Sequence, residues 1–304
     1  MDKIAILTGD PNGIGAEITI KAVNKLDLPE NKVILISNKK IIDFYGTLNH
    51  NYEIIEIPFE QEIKPGELTA ECGEFSFLSL KKVAEIGAKA IVTAPVSKAA
   101  MYKAGHIFNG QTEVLQEYLS RGNQSAEMLF VARDFRVLLL TRHCALKDVC
   151  LTSEIIVEKI INLNEFFINK LKINNPKFAL CGFNPHAGEE GILGDEENDI
   201  LIPAVKALLK KGINISMPLP ADTLFVDAAK AYFREEKIPY DCYIANYHDQ
   251  GLIPIKTIAG NKTVNMTIGL DVIRTSPPHG TAFDIAGKNI ADPTGMIEAI
   301  KLAL

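Results

Sequence analysis

The feature that most constrains this chain is a rhythm. Seven short runs rich in aliphatic and β-branched residues (KIAILTG, KVILIS, KAIVTAP, AEMLFVA, RVLLLT, KFALCGF and DCYIANY) are separated by stretches whose apolar residues recur every three to four positions. Continuous apolar runs of this length suit strands buried on both faces, and joining such strands in parallel requires crossover helices. The alternation therefore predicts an α/β protein with a largely parallel sheet. Helices are expected at GAEITIKAVNKL and at TSEIIVEKIINLNEFFINKLK, the second opening on Thr152 or Ser153 as N-cap. A third is expected near DEENDILIPAVKALLKKG. It has acids in its first turn, lysines in its last and Gly212 beyond them, as the helix dipole and C-cap preferences favour.

A chain of 304 residues, 47% hydrophobic and 23% charged, is long enough for a large core and points to two lobes rather than one. There is no repeat or long linker. The joints are expected at the glycine-containing segment around KAGHIFNGQ and at the turn after YHDQG, giving lobes of residues 1–104 with 250–304, and 105–249. The net charge of -6 comes without a lysine- or arginine-rich block, which excludes the phosphate-neutralising surface that nucleic-acid binding needs. No stretch approaches eighteen uncharged apolar residues and the start lacks a cationic leader, so a cytoplasmic protein with no membrane partner is expected. The five cysteines are scattered and form no CxxC pair. They read as reduced thiols serving as small buried apolar residues.

In α/β proteins the chemistry gathers where parallel strands end. GDPNGIGAE follows the first strand and opens the first helix. Its glycines suit either a tight strand-to-helix turn or a helix N-terminus receiving an anion or nucleotide. TAPVSKAAM puts Ser97 and Lys98 after another strand, where Lys98 can meet a phosphate or be a solvated surface lysine.

Three histidines share one local setting: His143 in LLLTRHCALKD, His186 in ALCGFNPHAGEEG and His248 in IANYHDQG. Each follows an apolar strand as the chain turns into a loop. Neutral imidazoles from three strand ends can converge on one divalent ion and leave positions open for substrate oxygens; singly, each is as readily a hydrogen-bonded structural histidine. Asp249 and Asp222 are candidate acceptors orienting those rings, or turn and cap aspartates. Lys256, Asn265 and Arg274 lie within a short, strand-like span and make a candidate clamp for a phosphate or carboxylate. SPPHGTAFDIAGKNIADPTG is too rich in glycine and proline to be one regular element. It suits a loop around an adenosine or a structural loop.

Taken in order, GDPNGIGAEI, TAPVSKAAM, GQTEVL, TRHCALKDV, NPHAGEEG, PLPADTLF, YHDQGLIPIK, VNMTIGLDVIRTSPPHGTA and DIAGK resemble the 4-hydroxythreonine-4-phosphate dehydrogenases over practically the whole chain. These are NAD-dependent enzymes of pyridoxine phosphate (vitamin B6) biosynthesis. GDPNGIGAE and HGTAFDIAGK are also similar to segments of isocitrate and isopropylmalate dehydrogenases. The resemblance implies that fold: two α/β/α lobes with a cleft between them, paired as a homodimer. It implies one divalent metal per site (Zn, Mg or Co), with His143 and His186 from one subunit and His248 from its partner. It places substrate contacts at Gln111, Thr112, Lys256, Asn265 and Arg274, with Lys98 a lesser candidate, and NAD at His279, Gly280, Thr281, Ala282, Asp284 and Asp292. Lys256 and Asp249 are the implied catalytic groups. The implied reaction oxidises 4-phosphooxy-L-threonine at C3 and removes its carboxylate, giving 3-amino-2-oxopropyl phosphate.

The sequence departs from the family pattern in places. GHTE reads GQTE, so the amide of Gln111 stands where a substrate-contacting histidine is expected, and PAGIGPE is PNGIGAE. Gln111 keeps open two related substrates, 4-phospho-D-threonate and 4-phospho-D-erythronate, which carry a hydroxyl in place of the amino group. A phosphate acyltransferase on a similar sheet is the other alternative, although it has no need of three metal histidines.

Overall fold

The structure is a computed structural model that describes residues 2–108, 110–119 and 126–304. The chain divides into two compact units, Met1–Ala126 with Val264–Leu304, and Glu127–Thr263. In chain order the first unit contributes β1 (Ile4–Leu7), α1 (Gly15–Leu26), β2 (Val33–Ser37), α2 (Lys39–Tyr45), β3 (Glu53–Glu56), α3 (Ala70–Glu85), β4 (Ala90–Thr93), α4 (Lys98–Lys103) and α5 (Gln111–Leu119). The second is β5 (Glu127–Ala132), β6 (Phe135–Leu139), α6 (Ser153–Asn169), β7 (Phe178–Leu180), α7 (Ile202–Lys210), α8 (Ala221–Arg234), β8 (Cys242–Ala245) and α9 (His248–Ala259). The chain then returns to the first unit with β9 (Val264–Ile268), β10 (Ile273–Ser276) and α10 (Thr294–Ala303).

In the first unit the strands lie in the order β3-β2-β1-β4-β10-β9, all parallel except the last pair. Side chains of a strand alternate between faces, and β1 shows what that does here. Ile4 and Ile6 join one core with Ile18, Val23, Met296 and Ile300, from α1 and α10. Ala5 and Leu7 join another with Phe75, Leu80 and Met101, from α3 and α4. Both faces are covered, which is why β1 and β2 read as unbroken apolar runs.

In the second unit β5 and β6 form an antiparallel pair, and β6, β8 and β7 run side by side in parallel. Phe135, Val137, Leu139 and Tyr243 pack with Phe225 of α8 and with Leu252 and Ile255 of α9. Helix α6 buries Ile156, Ile160, Leu163 and Phe167, one stripe at helical spacing. Its N-cap is Thr152, whose Oγ1 accepts from Ile155 N at 3.3 Å.

All seven expected strands form, and β9 and β10 form in the span around Asn265 and Arg274 that reads as strand-like; β3 is an addition. GLIPIK is not strand-like; it is the body of α9, burying Gly251, Leu252 and Ile255. Lys256 therefore sits on a helix. For the same reason the chain leaves the second unit beyond α9 rather than at the YHDQG turn, and the first division falls past α5 rather than near residue 104. Among the described residues no helix is long and apolar enough to cross a membrane. All five cysteines are free, and Cys72, Cys181 and Cys242 are buried as expected. Cys144 and Cys150 are exposed, because they lie in the loop after β6 rather than on a strand.

Candidate active site

Because β6, β8 and β7 are parallel neighbours, their carboxyl ends meet at one edge of the second unit, and the three histidine loops leave from there. Two amides tie those ends together. Asn246, fully buried, donates through Nδ2 to Cys181 O (2.9 Å), and its backbone carbonyl accepts from the backbone N–H (3.2 Å) and hydroxyl (2.7 Å) of Thr141. Gln250 accepts from Asn246 N at 2.8 Å and donates to Gly182 O at 2.8 Å. Neither residue was singled out from the sequence, although both flank the YHD motif; buried amides at a strand end were the available signal.

The rings of His143 and His248 stand 5.5 Å apart, tilted by 49°. With Tyr247, Asp249 and Cys144 they line a pocket of about 250 Å³. Asp249 Oδ1 lies 2.7 Å from His248 Nδ1. A carboxylate can only accept, so Nδ1 carries the hydrogen, and in the neutral ring that leaves Nε2 as the lone-pair nitrogen, the tautomer a metal-binding imidazole needs. The donor chemistry thus fits a divalent ion held by His143 and His248. Asp222, the other candidate orienting acid, lies in the first turn of α8 and lines a neighbouring groove with Gln250 and Ile253.

Within one chain, two of the three histidines stand together. His143 pairs with His248 of its own chain, because β6 and β8 are immediate neighbours. His186 leaves β7, on the far side of β8, and does not line the pocket. Among the described residues no three of His, Cys, Asp or Glu gather as a metal-holding group. Lys256 is exposed on α9, about two turns beyond His248.

The first unit holds the other candidates. Arg274 on β10 is 1% exposed; its Nε and Nη2 donate to Thr93 Oγ1 (3.0 and 2.6 Å) and its Nη1 to Thr267 Oγ1 (3.0 Å). Burial pushes its pKa down to about 10, opposed by the charge of Glu113 in the first turn of α5. It remains a cation at neutral pH, held by hydroxyls of the flanking strands β4 and β9. On β9, Asn265 shares the face of Thr267. The side-chain oxygens of Asn265 and Gln111 are buried with no hydrogen-bond donor among the described residues, and Thr112 is 8% exposed. Each such oxygen costs roughly 1–3 kcal/mol until a donor reaches it.

The GDPNGIG loop settles as a turn. The N–H groups of Asn12, Gly13 and Ile14 donate to Asp10 Oδ1 (2.9 Å), Asp10 O (3.1 Å) and Thr281 O (3.0 Å), so these three are taken up by the protein itself. Lys98 is exposed at the start of the six-residue α4, which Ser97 caps through Oγ (3.2 Å to Ala100 N). The loop expected to carry the nicotinamide cofactor is irregular, as read. Thr281 packs on Gly13, and a Cβ added at Gly280 would meet nothing within 4 Å, which leaves room beside the backbone. His279 Nδ1 lies 3.1 Å from Gly280 O, Ala282 has φ +43° and Asp284 is exposed. Asp292 also supports the fold, because its Oδ1 accepts from Thr294 N (2.9 Å) and Oγ1 (2.6 Å) at the start of α10.

Residues 4–303 match the family described as "Pyridoxal phosphate biosynthetic protein PdxA". Among curated relatives, 4-hydroxythreonine-4-phosphate dehydrogenase of Sulfurihydrogenibium sp. (strain YO3AOP1) is 39% identical, covering 100% of this chain and 98% of its own. D-threonate 4-phosphate dehydrogenase of Pectobacterium atrosepticum is 35% identical, covering 99% and 98%. The crystal structure of 4-hydroxythreonine-4-phosphate dehydrogenase from Klebsiella pneumoniae superposes with a TM-score of 0.86 at 32% identity, covering 100% of this chain and 98% of that one. Isocitrate dehydrogenase from Methylococcus capsulatus (TM-score 0.51, 15% identity, 100% and 85% covered) shows a likeness of fold alone.

Proposed function

The chain belongs to the PdxA family of pyridoxal phosphate biosynthetic proteins, and from that membership we propose that it oxidises and decarboxylates 4-phosphooxy-L-threonine with NAD and a divalent ion. The observation that carries the metal part is the His143–His248 pair, with Asp249 fixing the tautomer of His248. When bound, the ion would supply Lewis acidity to the C3 hydroxyl and the nicotinamide would take the hydride. The chain's own groups do the rest. Arg274, Asn265, Thr112 and Gln111 would bind the anionic and polar parts of the substrate, the buried guanidinium supplying a fixed positive charge. Lys256 is the proposed acceptor of the hydroxyl proton, with Asp249 supporting His248. Oxidation at C3 leaves a β-keto acid, whose loss of carbon dioxide returns a proton to the carbon and gives 3-amino-2-oxopropyl phosphate. One NAD is reduced per carbon dioxide released. His279, Gly280, Thr281, Ala282, Asp284 and Asp292 are the proposed NAD contacts.

The proposed assembly is a cytoplasmic homodimer. It is supported by the family resemblance and by a groove of about 460 Å³ between α8 and α9, flanked by Val226 (46% exposed) and Ile253 (63% exposed). A partner would also complete the ligand set that one chain leaves open, with His143 and His186 from one subunit and His248 from the other, as the family resemblance implies.

Gln111 favours one second reading. With an amide in place of the family histidine, and a D-threonate 4-phosphate dehydrogenase among the relatives, the hydroxy acid phosphate is the competing substrate. NADH formation with each phosphate in the presence of a divalent ion tests both. Turnover of 4-phosphooxy-L-threonine is expected to be faster, and a preference of about tenfold or more for 4-phospho-D-threonate would replace the first reading by the second.

A further inference from the structure

We infer that Glu197 is a positioning residue for His186: its buried carboxylate fixes the left-handed loop carrying that histidine and so sets the affinity of the metal site. The inference rests on reading His186 as a metal ligand. His186, Ala187, Gly188, Glu189 and Glu190 have φ of 53, 54, 79, 46 and 59°, a left-handed turn that a Cβ disfavours at all but the glycine. Such backbone persists where its surroundings over-determine it. Here the surroundings centre on one side chain. Glu197 is 3% exposed; its Oε1 accepts from the N–H groups of Phe183 (2.7 Å) and Asn184 (2.8 Å), and its Oε2 accepts from Asn184 Nδ2 (2.9 Å).

Asn184 Nδ2 donates also to Glu196 Oε2 at 2.6 Å, so two consecutive carboxylates meet at one amide. Beyond His186 the chain returns to the same carboxylate: a Cβ on Gly188 would lie 2.6 Å from Glu197 Oε2. Ala187 N donates to Asn184 O (3.1 Å) and Leu193 N to Gly188 O (3.1 Å), which close the turn. Glu197 thus holds the loop by hydrogen bonds at Phe183 and Asn184, before His186, and lies against Gly188 beyond it. It opens a π-helical turn, residues Glu197–Leu201, a local widening that recurs at functional sites. Holding a ligand in one conformation before the ion arrives removes the ordering cost from binding.

The test is calorimetric titration of the metal-free full chain with Zn²⁺. Glu197→Gln puts an amide nitrogen against Asn184 Nδ2, donor against donor, and is expected to weaken Zn²⁺ binding by about 10- to 100-fold. Asn184→Ala should weaken it in the same direction. Glu127→Gln is the control: a buried carboxylate of the same unit, 2.6 Å from Lys159 Nζ, its loss should leave the affinity within about threefold. The inference is overturned if Glu197→Gln stays within about threefold of the parent while His186→Ala abolishes binding, or if Glu127→Gln weakens binding as much as Glu197→Gln does. If His186→Ala binds Zn²⁺ like the parent, the ligand reading falls and this inference with it.

Discussion

Two loops leave the carboxyl ends of parallel strands rich in glycine, and they use it in opposite ways. After β1, GDPNGIG is sealed. A Cβ on Gly9 would stand 2.3 Å from Pro95 O and one on Gly15 2.1 Å from Thr8 O, so its glycines let backbone pack on backbone. After β7, FNPHAGEEG asks His186, Ala187, Glu189 and Glu190 to take the left-handed conformation without being glycine, and His186 stays exposed. The sequence left GDPNGIG open between a turn and an anion site and marked His186 as one of three strand-end histidines, and that candidate lies in the strained loop. Glycine marks where the chain must approach itself. Strain in residues with a Cβ marks where a side chain must be presented.

The largest test of that contrast removes a ligand. His248→Ala takes away the imidazole facing His143 at 5.5 Å; Zn²⁺ binding should disappear and NADH formation fall on the order of a thousandfold, since Lewis-acid stabilisation is worth several kcal/mol. Retained metal in that variant would break the site. The sealed loop should respond the other way. Gly15→Ala places a Cβ on Thr8 O, relieved only by moving α1 or β1, and should cost about 3 kcal/mol in urea unfolding while the intact fraction binds Zn²⁺ like the parent.

How much of this was legible follows from the range of the forces involved. Periodic burial is local, so β1, β2 and α6 with its Thr152 cap could be read from runs of ten or twenty residues. The helix α9 was misread because LIPIK is short, apolar and β-branched, a pattern that strands and buried helices share. Strands β9 and β10 carry Asn265 and Arg274 in a span that was legible as strand-like, but their antiparallel pairing was not, because it depends on neighbours distant in sequence. The three histidines were legible as strand-end residues. Which two meet was not, because that depends on β8 lying between β6 and β7, and no local pattern sets that order. Glu197 read as an ordinary first-turn acid of a helix; its partners Phe183 and Asn184 lie across a loop.

A smaller effect, of opposite sign to Gly15→Ala, is expected within the same sealed loop. Asp10 is fully buried, and burial raises its pKa from 3.8 to about 6, against the opposing bonds of Asn12, Cys72 and Ser97. An acid with a raised folded pKa holds its proton more tightly when folded. Stability is therefore highest below pH 3.8 and falls as pH rises to about 6, leaving a cost of about 3 kcal/mol at pH 7. Asp10→Asn keeps an oxygen for Asn12 N and should recover most of that cost at pH 7, the gain shrinking as pH is lowered to about 5. Urea unfolding at the two pH values checks it. A gain that does not change with pH would mean the charge is not what destabilises the turn.

The smallest effect comes from the strained loop. Glu189 is exposed at φ 46° and ψ 55°, and its carbonyl accepts from Ile192 N at 3.2 Å whatever the side chain. Glu189→Gly removes roughly 1–2 kcal/mol of left-handed strain and adds roughly 0.5–1 kcal/mol of unfolded-chain entropy, so a net stabilisation of about 0.5–1 kcal/mol is expected. Because Glu197 holds the turn at Phe183 and Asn184, Zn²⁺ affinity should stay at the parental value. A rise in melting temperature with unchanged affinity would locate the strain in the backbone and the positioning in Glu197. A fall in stability would mean that the Glu189 side chain itself supports the left-handed turn, and the contrast between the two loops would then rest on side-chain contacts rather than on where the chain tolerates strain.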